Sequence, residues 1–116
     1  MAYADLTPVL DSGDVRIVRG DAYLEGRMLI WTDVTWDIAV DSIVVVILQN
    51  VAALIGARLD AQRVGLELSH AQSVALPAGV YPFSIQEILP NDDPVTLLRA
   101  CWVTYLYPEP RPASEY

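Results

Sequence analysis

The chain has 116 residues, 53% of them hydrophobic, so it can bury a core as a single domain. Fifteen acidic residues against seven basic ones give a formal net charge of −8, which disfavours binding to nucleic acid or to an anionic membrane. The single cysteine, Cys101, excludes an intrachain disulfide, and its apolar neighbours predict a buried thiol. The first residues lack a positive region followed by an apolar core, so we expect no secretory signal.

Short segments with apolar alternation or β-branched residues predict strands along most of the chain. These segments are residues 15–19, 23–31, 42–49, 51–59, 64–69, 80–89 and 95–105. The run from Ile43 to Ile47 favours a strand because β-branched side chains lose rotamer freedom in a helix. The alanines and leucines of residues 51–59 also suit a helix, but Gly56 and the flanking strands favour a strand. The apolar stretch 43–57 is shorter than the roughly 20 residues of a membrane-spanning helix.

One helical turn and one hairpin are predicted from local signals. Ser69 can cap a helix over residues 69–76, and Gln72 occupies the N3 position of a capping box. The sequence Pro-Asn-Asp-Asp-Pro at residues 90–94 is a turn signal, so the flanking strands should form a hairpin. Pro82 predicts that the strand at residues 80–89 has an exposed edge or an irregular start.

Many short strands with little helix predict an all-β fold: a single antiparallel β-sandwich of about seven strands, or a small barrel. The predicted organisation is an N-terminal arm at residues 1–14, the β-sandwich domain at residues 15–107, and a proline-rich tail at residues 108–116. The prolines of the tail cannot continue a sheet ladder, so we expect an extended segment there.

The chain contains no nucleotide-binding or catalytic sequence motif, and its single histidine, His70, excludes a multi-histidine metal site. Calcium ions bind oxygen ligands, and two groups of residues carry them. One group is Asp33, Asp37 and Asp41, spaced four residues apart, and the other is the cluster at residues 91–93. Neither group matches an EF-hand loop, so the simpler interpretation is solvated carboxylates. We expect no enzyme activity, no cofactor and no metal.

Apolar residues of the middle segment and tyrosines near the C-terminal end are candidates for an interaction surface. The interface candidates are Ile43, Val45, Ile47, Leu54, Ile55, Tyr105, Tyr107 and Tyr116. The middle segment is more apolar than a half-exposed strand requires, and aromatic residues are enriched at interfaces. Ordinary packing at strand ends is the alternative for the tyrosines.

Five segments of the chain resemble proteins of tailed-phage particles. They are residues 15–21, 31–33, 66–69, 76–81 and 97–103. Their order of strands and turns is similar to the immunoglobulin-like β-sandwich of phage tail and baseplate proteins, including the N-terminal domain of upper baseplate proteins. The resemblance covers about residues 15–107, and the apolar residues 43–57 depart from the alternating strands of that family.

The resemblance implies a structural component of the virion, in the tail, baseplate or neck, assembled in the cytoplasm of the host bacterium. Its implied partners are other virion structural proteins and copies of itself, with no nucleic acid, no membrane, no substrate and no cofactor. A capsid decoration protein is a related alternative. A carbohydrate-recognising or host-adhesion module that uses Trp31, Trp36 and the acidic loops is an alternative from a different class.

Overall fold

A computed structural model describes residues 8–10, 12–24 and 26–105, which form eight β-strands and one short helix. The elements are β1 (Val15–Val18), β2 (Leu29–Thr32), β3 (Ile43–Leu48), β4 (Ala52–Ile55), β5 (Ala57–Asp60), β6 (Arg63–Leu66), α1 (His70–Ala75), β7 (Gly79–Ile88) and β8 (Pro94–Tyr105). The predicted all-β fold with one helical turn is confirmed. Within this part of the chain, no helix is long and apolar enough to cross a membrane.

The strands form two sheets, as a sandwich-like fold requires. One sheet has five strands in the order β1-β8-β7-β3-β4, and the other has three in the order β2-β6-β5. All pairs of these strands are antiparallel except β1 and β8, which run parallel. Only this pair departs from the predicted antiparallel arrangement, and it joins strands that are far apart in the chain and that no hairpin connects.

The core lies between the sheets, where alternate residues of each strand point inward. Val44, Val46 and Leu48 of β3 are each at most 2% exposed, as their spacing of two residues requires. The ring of Phe83 packs edge-on against Trp102, with ring centroids 5.5 Å apart. Aromatic rings prefer this geometry, so the pair stabilises the centre of the core beyond its buried area.

The predicted strand at residues 23–31 forms only in part. Tyr23 makes an isolated bridge to Leu68, and regular pairing resumes at β2. Between them the backbone N–H of Arg27 donates to the carbonyl of Leu24, which closes a turn with Gly26 at φ +85°. This turn interrupts the extended chain.

The predicted strand at residues 51–59 is confirmed, but it is divided between the two sheets. β4 lies at one edge of the five-stranded sheet, β5 lies at an edge of the three-stranded sheet, and Gly56 joins them. A Cβ at position 56 would lie 3.2 Å from the carbonyl oxygen of Gly65. The close approach of the two backbones therefore favours glycine where the chain crosses between sheets.

The capping box of α1 is confirmed in both directions. The backbone N–H of Gln72 donates to the Ser69 hydroxyl over 3.1 Å, and the backbone N–H of Ser69 donates to the Gln72 side-chain oxygen over 2.9 Å. The buried hydroxyl of Ser73 donates to the carbonyl of Val18 and accepts from the backbone N–H of Gly20. These bonds attach the helix to the end of β1.

The β7–β8 hairpin is confirmed, and its turn is closed by the backbone N–H of Leu89, which donates to the carbonyl of Asp93. Pro82 lies one residue beyond the pairing of β7 with β3, which begins at the Leu48–Phe83 pair. The β3 side of β7 is therefore open at residues 79–82, except where the backbone N–H of Gln49 donates to the carbonyl of Pro82. This agrees with the predicted exposed edge.

The predicted burial of Cys101 is wrong. Its neighbour Trp102 points into the core and is fully buried, and alternation along β8 therefore turns Cys101 outward. An apolar neighbourhood in sequence does not fix the side of the sheet on which a residue lies.

The described part of the predicted N-terminal arm packs on the domain. Val9 forms an antiparallel bridge with Val15, and the backbone N–H of Arg16 donates to the carbonyl of Pro8. The indole N–H of Trp31 donates to the carbonyl of Gly13 over 3.0 Å. Residues 1–7 and the predicted tail at 108–116 lie outside the described residues.

Candidate interaction surface

The five-stranded sheet has one face turned away from the core, which we call the outer face. Strand pairing aligns its residues in rows across the sheet. One row joins Ala53, Ile47, Ser84 and Arg99, because these residues pair in turn along β4, β3, β7 and β8. The outer face is apolar at the β3–β4 end of such rows and basic at the β8–β1 end.

The apolar half of the outer face consists of outward residues of β3, β4 and the end of β7. They are Ile43, Val45, Ile47, Ala53, Ile55 and Ile88. Ile55 is 73% exposed and Ile43 is 56% exposed, while Val45 and Ile47 are partly exposed. β4 is the last strand on this side of the sheet, so the patch continues to an open edge. Contiguous apolar surface of this kind is typical of interaction sites.

The structure brings together four of the predicted interface residues: Ile43, Val45, Ile47 and Ile55. Leu54, also predicted to lie at the interface, pairs with the buried Val46 and packs against the core, so it does not share the outer face. In a four-residue strand without clear alternation, only pairing with a neighbour decides which residues face outward.

The predicted tyrosines divide between two regions. Tyr105, at the end of β8, is half-buried and points to the same side of the sheet as Val103. Tyr107 and Tyr116 lie outside the described residues, so their assignment to an interface stays a prediction.

The basic half of the outer face consists of Arg16 and Val18 from β1 with Arg99, Cys101, Val103 and Tyr105 from β8. Val18 is 5% exposed, so this end of the face is covered near the end of β1. Arg99 is exposed, and the buried Nε of Arg16 has no hydrogen-bond partner among the described residues. The outward residues of the five strands include no carboxylate, but the Asp14 carboxylate lies at this half, where it accepts from the backbone N–H of Cys101 over 3.0 Å. Neither arginine was singled out from the sequence, because they share a face only through the β1–β8 pairing.

A groove of about 460 Å³ lies between the two halves. The residues that line it include Ile47, Gln49, Pro82, Ser84, Gln86 and Arg99. The groove therefore offers apolar contact, amide groups and one cation to a bound segment.

A second cavity of about 320 Å³ lies beside β2, and Trp31, Asp33 and Trp36 are among its lining residues. Trp31 is 2% exposed and Trp36 is 9% exposed, so their rings belong to the core and do not form a stacking platform. The hydroxyl and backbone N–H of Thr35 donate to the Asp33 carboxylate and hold the pKa of Asp33 below its ordinary value. This carboxylate therefore acts as a turn-forming group.

The residues considered for chemistry are not assembled into a site. His70 is exposed, and its Nδ1 lies 2.6 Å from the carbonyl oxygen of Gly20, so the ring contributes to the contact between α1 and the turn after β1. Across residues 8–10, 12–24 and 26–105, no group of three or more histidine, cysteine or acidic side chains is placed to hold a metal ion.

Comparison of the chain with family models, with curated proteins and with solved structures gave no match.

Proposed function

We propose that the protein is a structural component of a tailed-phage particle, in the tail, baseplate or neck, which packs against other subunits and carries out no catalysis. The observation that supports this proposal best is the apolar half of the outer face. It exposes Ile43 and Ile55 beside Val45 and Ile47, with no charged residue among them. The resemblance of residues 15–107 to phage tail and baseplate sandwiches supports the same role.

Packing of this surface against a partner would be driven by removal of apolar side chains from water. Full burial of an isoleucine or valine side chain contributes about 1.5–3 kcal/mol. Ile55 is 73% exposed and lies on edge strand β4, so a partner that covers it could also pair with the free edge of that strand. A virion supplies such partners at high local concentration through its repeated subunits.

A capsid decoration protein would use the same surface and belongs to the same structural class. A carbohydrate-binding module is disfavoured because Trp31 and Trp36, the tryptophans proposed for stacking on sugar rings, are buried. The virion role is therefore the proposal we take to experiment.

The first experiment measures association of the full chain by light scattering over a range of protein concentrations. We expect the wild-type protein to associate, and Ile55→Glu to weaken association by about tenfold or more, which corresponds to about 1.4 kcal/mol. Val40→Glu is the matched control, because Val40 is 78% exposed in the turn before β3 and lies outside the outer face. A wild-type protein that stays monomeric at high concentration would contradict the proposed packing.

The second experiment tests the place of action. Phage particles purified from the bacterium that carries the gene should contain the protein in a fixed ratio to other structural subunits by quantitative mass spectrometry. Detection of the protein only in the particle-free fraction of the lysate would rule out the virion role.

A further inference from the structure

Strand β4 ends the five-stranded sheet, and within the described part of the chain no strand lies on its other side, which we call the free side of β4. Its residues, Ala-Ala-Leu-Ile, include no charge and no proline, and its register against β3 does not shift. Proteins usually protect an exposed edge with a charge, a proline or a bulge, because its unpaired backbone groups can pair with another strand. β4 lacks all three and can therefore accept a further strand.

The other ends of the two sheets differ from β4. The second side of β1 is taken by the segment before it, where the backbone N–H of Arg16 donates to the carbonyl of Pro8. β5 contains Arg58 and Asp60, and its register against β6 shifts between them. β2 and the segment before β1 line the same cavity of about 320 Å³, so that segment lies beside β2. β4 is therefore the plainest edge that the described residues offer to a partner.

The pairing of β4 with β3 determines which backbone groups point to the free side. The backbone N–H of Gly56 donates to the carbonyl of Val44 over 2.9 Å, and hydrogen-bonded pairs recur at every second residue of an antiparallel ladder. Leu54 therefore bonds to β3, whereas Ala53 and Ile55 turn their N–H and C=O groups to the free side. The free side thus presents two donors and two acceptors.

These backbone groups match those of a second copy of the same strand. In an antiparallel pair with a two-fold axis at Leu54, Ala53 of each copy lies opposite Ile55 of the other. Each of these two residue pairs exchanges two hydrogen bonds, so every donor and acceptor on the free side is bonded. The same groups serve both copies, as a contact between identical surfaces requires.

The side chains fit the same arrangement. On the outer face, Ile55, which is 73% exposed, would lie beside the small side chain of Ala53 of the other copy. On the inner side, Leu54 packs against the core but stays partly exposed, and it would meet Leu54 of the other copy. The pairing would therefore remove apolar surface from water on both sides of the strand.

We infer that β4 pairs with β4 of a second copy, antiparallel about Leu54, so that two five-stranded sheets become one sheet. The inference rests on the proposed structural role and names the partner of the β4 edge. The dimer joins the apolar halves of two outer faces into one continuous surface. Other subunits of the particle then pack against this wider surface.

The charge of the chain favours contact at this edge. Each copy has a net charge of −8, so two copies repel one another over most of their surface. β3 and β4 contain no charged residue, and Glu67 is the acidic residue that lines the cavity of about 350 Å³ beside Ile55. Salt screens this repulsion, so the dimer should bind more tightly as the salt concentration rises. A dimer that weakens with salt would overturn the uncharged contact.

Amide hydrogen exchange of the wild-type chain, measured by NMR, tests the backbone pairing directly. In dilute protein the amides of Ala53 and Ile55 should exchange fast, and at concentrations where the chain associates they should exchange at least about tenfold more slowly. The Leu54 amide, which bonds to β3, should be protected throughout. Fast exchange of the first two amides in associated protein would overturn the pairing. Their protection at every concentration would also overturn it, because a segment of the same chain would then cover β4.

A disulfide tests the register. At a two-fold axis the Cα atoms of the two copies of residue 54 are about 4.5 Å apart, within the range that a disulfide spans. A full-length chain carrying Cys101→Ser and Leu54→Cys should therefore form a covalent dimer under mild oxidation. The control carries Cys101→Ser and Ala52→Cys, on the same side of β4, where the two thiols start from Cα atoms about 14 Å apart. Equal rates of cross-linking in the two variants would overturn the register.

The variant Ala53→Pro separates this inference from the proposed packing. Proline removes the Ala53 N–H from the free side and breaks no bond to β3. We expect it to weaken dimerisation by about tenfold or more in light scattering, which corresponds to about 1.4 kcal/mol. Val40→Glu, in the turn before β3, should dimerise as the wild type does. Urea denaturation establishes that both variants are folded.

Two outcomes distinguish the proposals. If Ala53→Pro associates as the wild type does while Ile55→Glu does not, the edge pairing is overturned and the proposed packing stands. If Ala53→Pro prevents dimerisation and the protein is absent from purified phage particles, the virion role is overturned and the edge pairing stands.

Discussion

The carboxylate of Glu87, which is 5% exposed on the inward face of β7, accepts a hydrogen bond of 2.6 Å from the hydroxyl of Ser42. The same carboxylate oxygen accepts from the backbone N–H of Ala39 over 2.9 Å. Glu87 therefore holds the loop before β3 against the core, close to Ile38, which is 1% exposed.

Replacement of Glu87 by alanine should leave these donors without their acceptor. We expect Glu87→Ala to lower the free energy of unfolding by about 1–3 kcal/mol, the usual loss for unsatisfied buried polar groups. Urea denaturation measures this loss. Gln86→Ala is the control, since Gln86 points to the outer face, and it should change the stability by less than about 0.5 kcal/mol. Equal losses in both variants would contradict the assigned role of Glu87.

Gly13 and Gly26 form a matched pair for separating backbone strain from steric contact. Their φ angles are +92° and +85°, but a Cβ at position 13 would lie 2.8 Å from a methyl carbon of Leu98, and a Cβ at position 26 would have no neighbour within 4 Å. Gly26→Ala should therefore lower the free energy of unfolding by about 1–2 kcal/mol, because alanine is strained in the left-handed backbone conformation. Gly13→Ala should lose more, because Leu98 must move. Thermal or urea unfolding measures these losses. Equal losses of unfolding free energy in the two variants would show that Leu98 can move aside without destabilising the protein.

Tyr23 should make the free energy of unfolding fall as the pH rises in the alkaline range. Burial raises the pKa of Tyr23 above its ordinary value of 10.0, and the backbone N–H of Val18, which donates to the hydroxyl over 2.9 Å, offsets this only in part. The unfolded chain therefore loses the proton at lower pH than the folded protein does. The stabilisation is complete below the unfolded pKa and is lost as pH rises through 10 toward the folded pKa.

Tyr23→Phe should consequently show a smaller loss of stability than the wild type between about pH 8 and pH 11, measured by urea denaturation. Its stability at the lower pH should itself be reduced, because the N–H of Val18 loses its acceptor. Burial also raises the pKa of Tyr81, so some alkaline dependence should remain in the variant. An unchanged slope in Tyr23→Phe would assign the effect to other groups.

Features that depend on neighbours in sequence were predicted well. The capping box of Ser69 and Gln72 requires only residues three positions apart, and both of its bonds form. The turn at residues 90–94 likewise joins adjacent strands, and the β-branched run from Ile43 forms β3. In each case the local chemistry and the tertiary fold favour the same structure.

Features set by pairing between distant strands were not predictable in this way. Cys101 was predicted to be buried and is exposed, and Leu54 lies on the core side although it was grouped with outward residues, because strand pairing, rather than the composition of each segment, sets the face. The grouping of Arg16 with Arg99 depends on the parallel β1–β8 pair, which no local signal announces. The apolar half of the candidate surface was therefore predictable from the sequence, and the basic half was not.

The parallel pairing of β1 with β8 also has a consequence for synthesis of the protein. Asp14, just before β1, accepts a hydrogen bond from the backbone N–H of Cys101, and these residues are 87 positions apart. Until the ribosome has made β8, β1 has no partner strand. β1 therefore cannot yet join the five-stranded sheet. Contacts of such long sequence separation form slowly. We therefore expect the inward side of β1, including Ile17, to stay exposed in the nascent chain until β8 has been made.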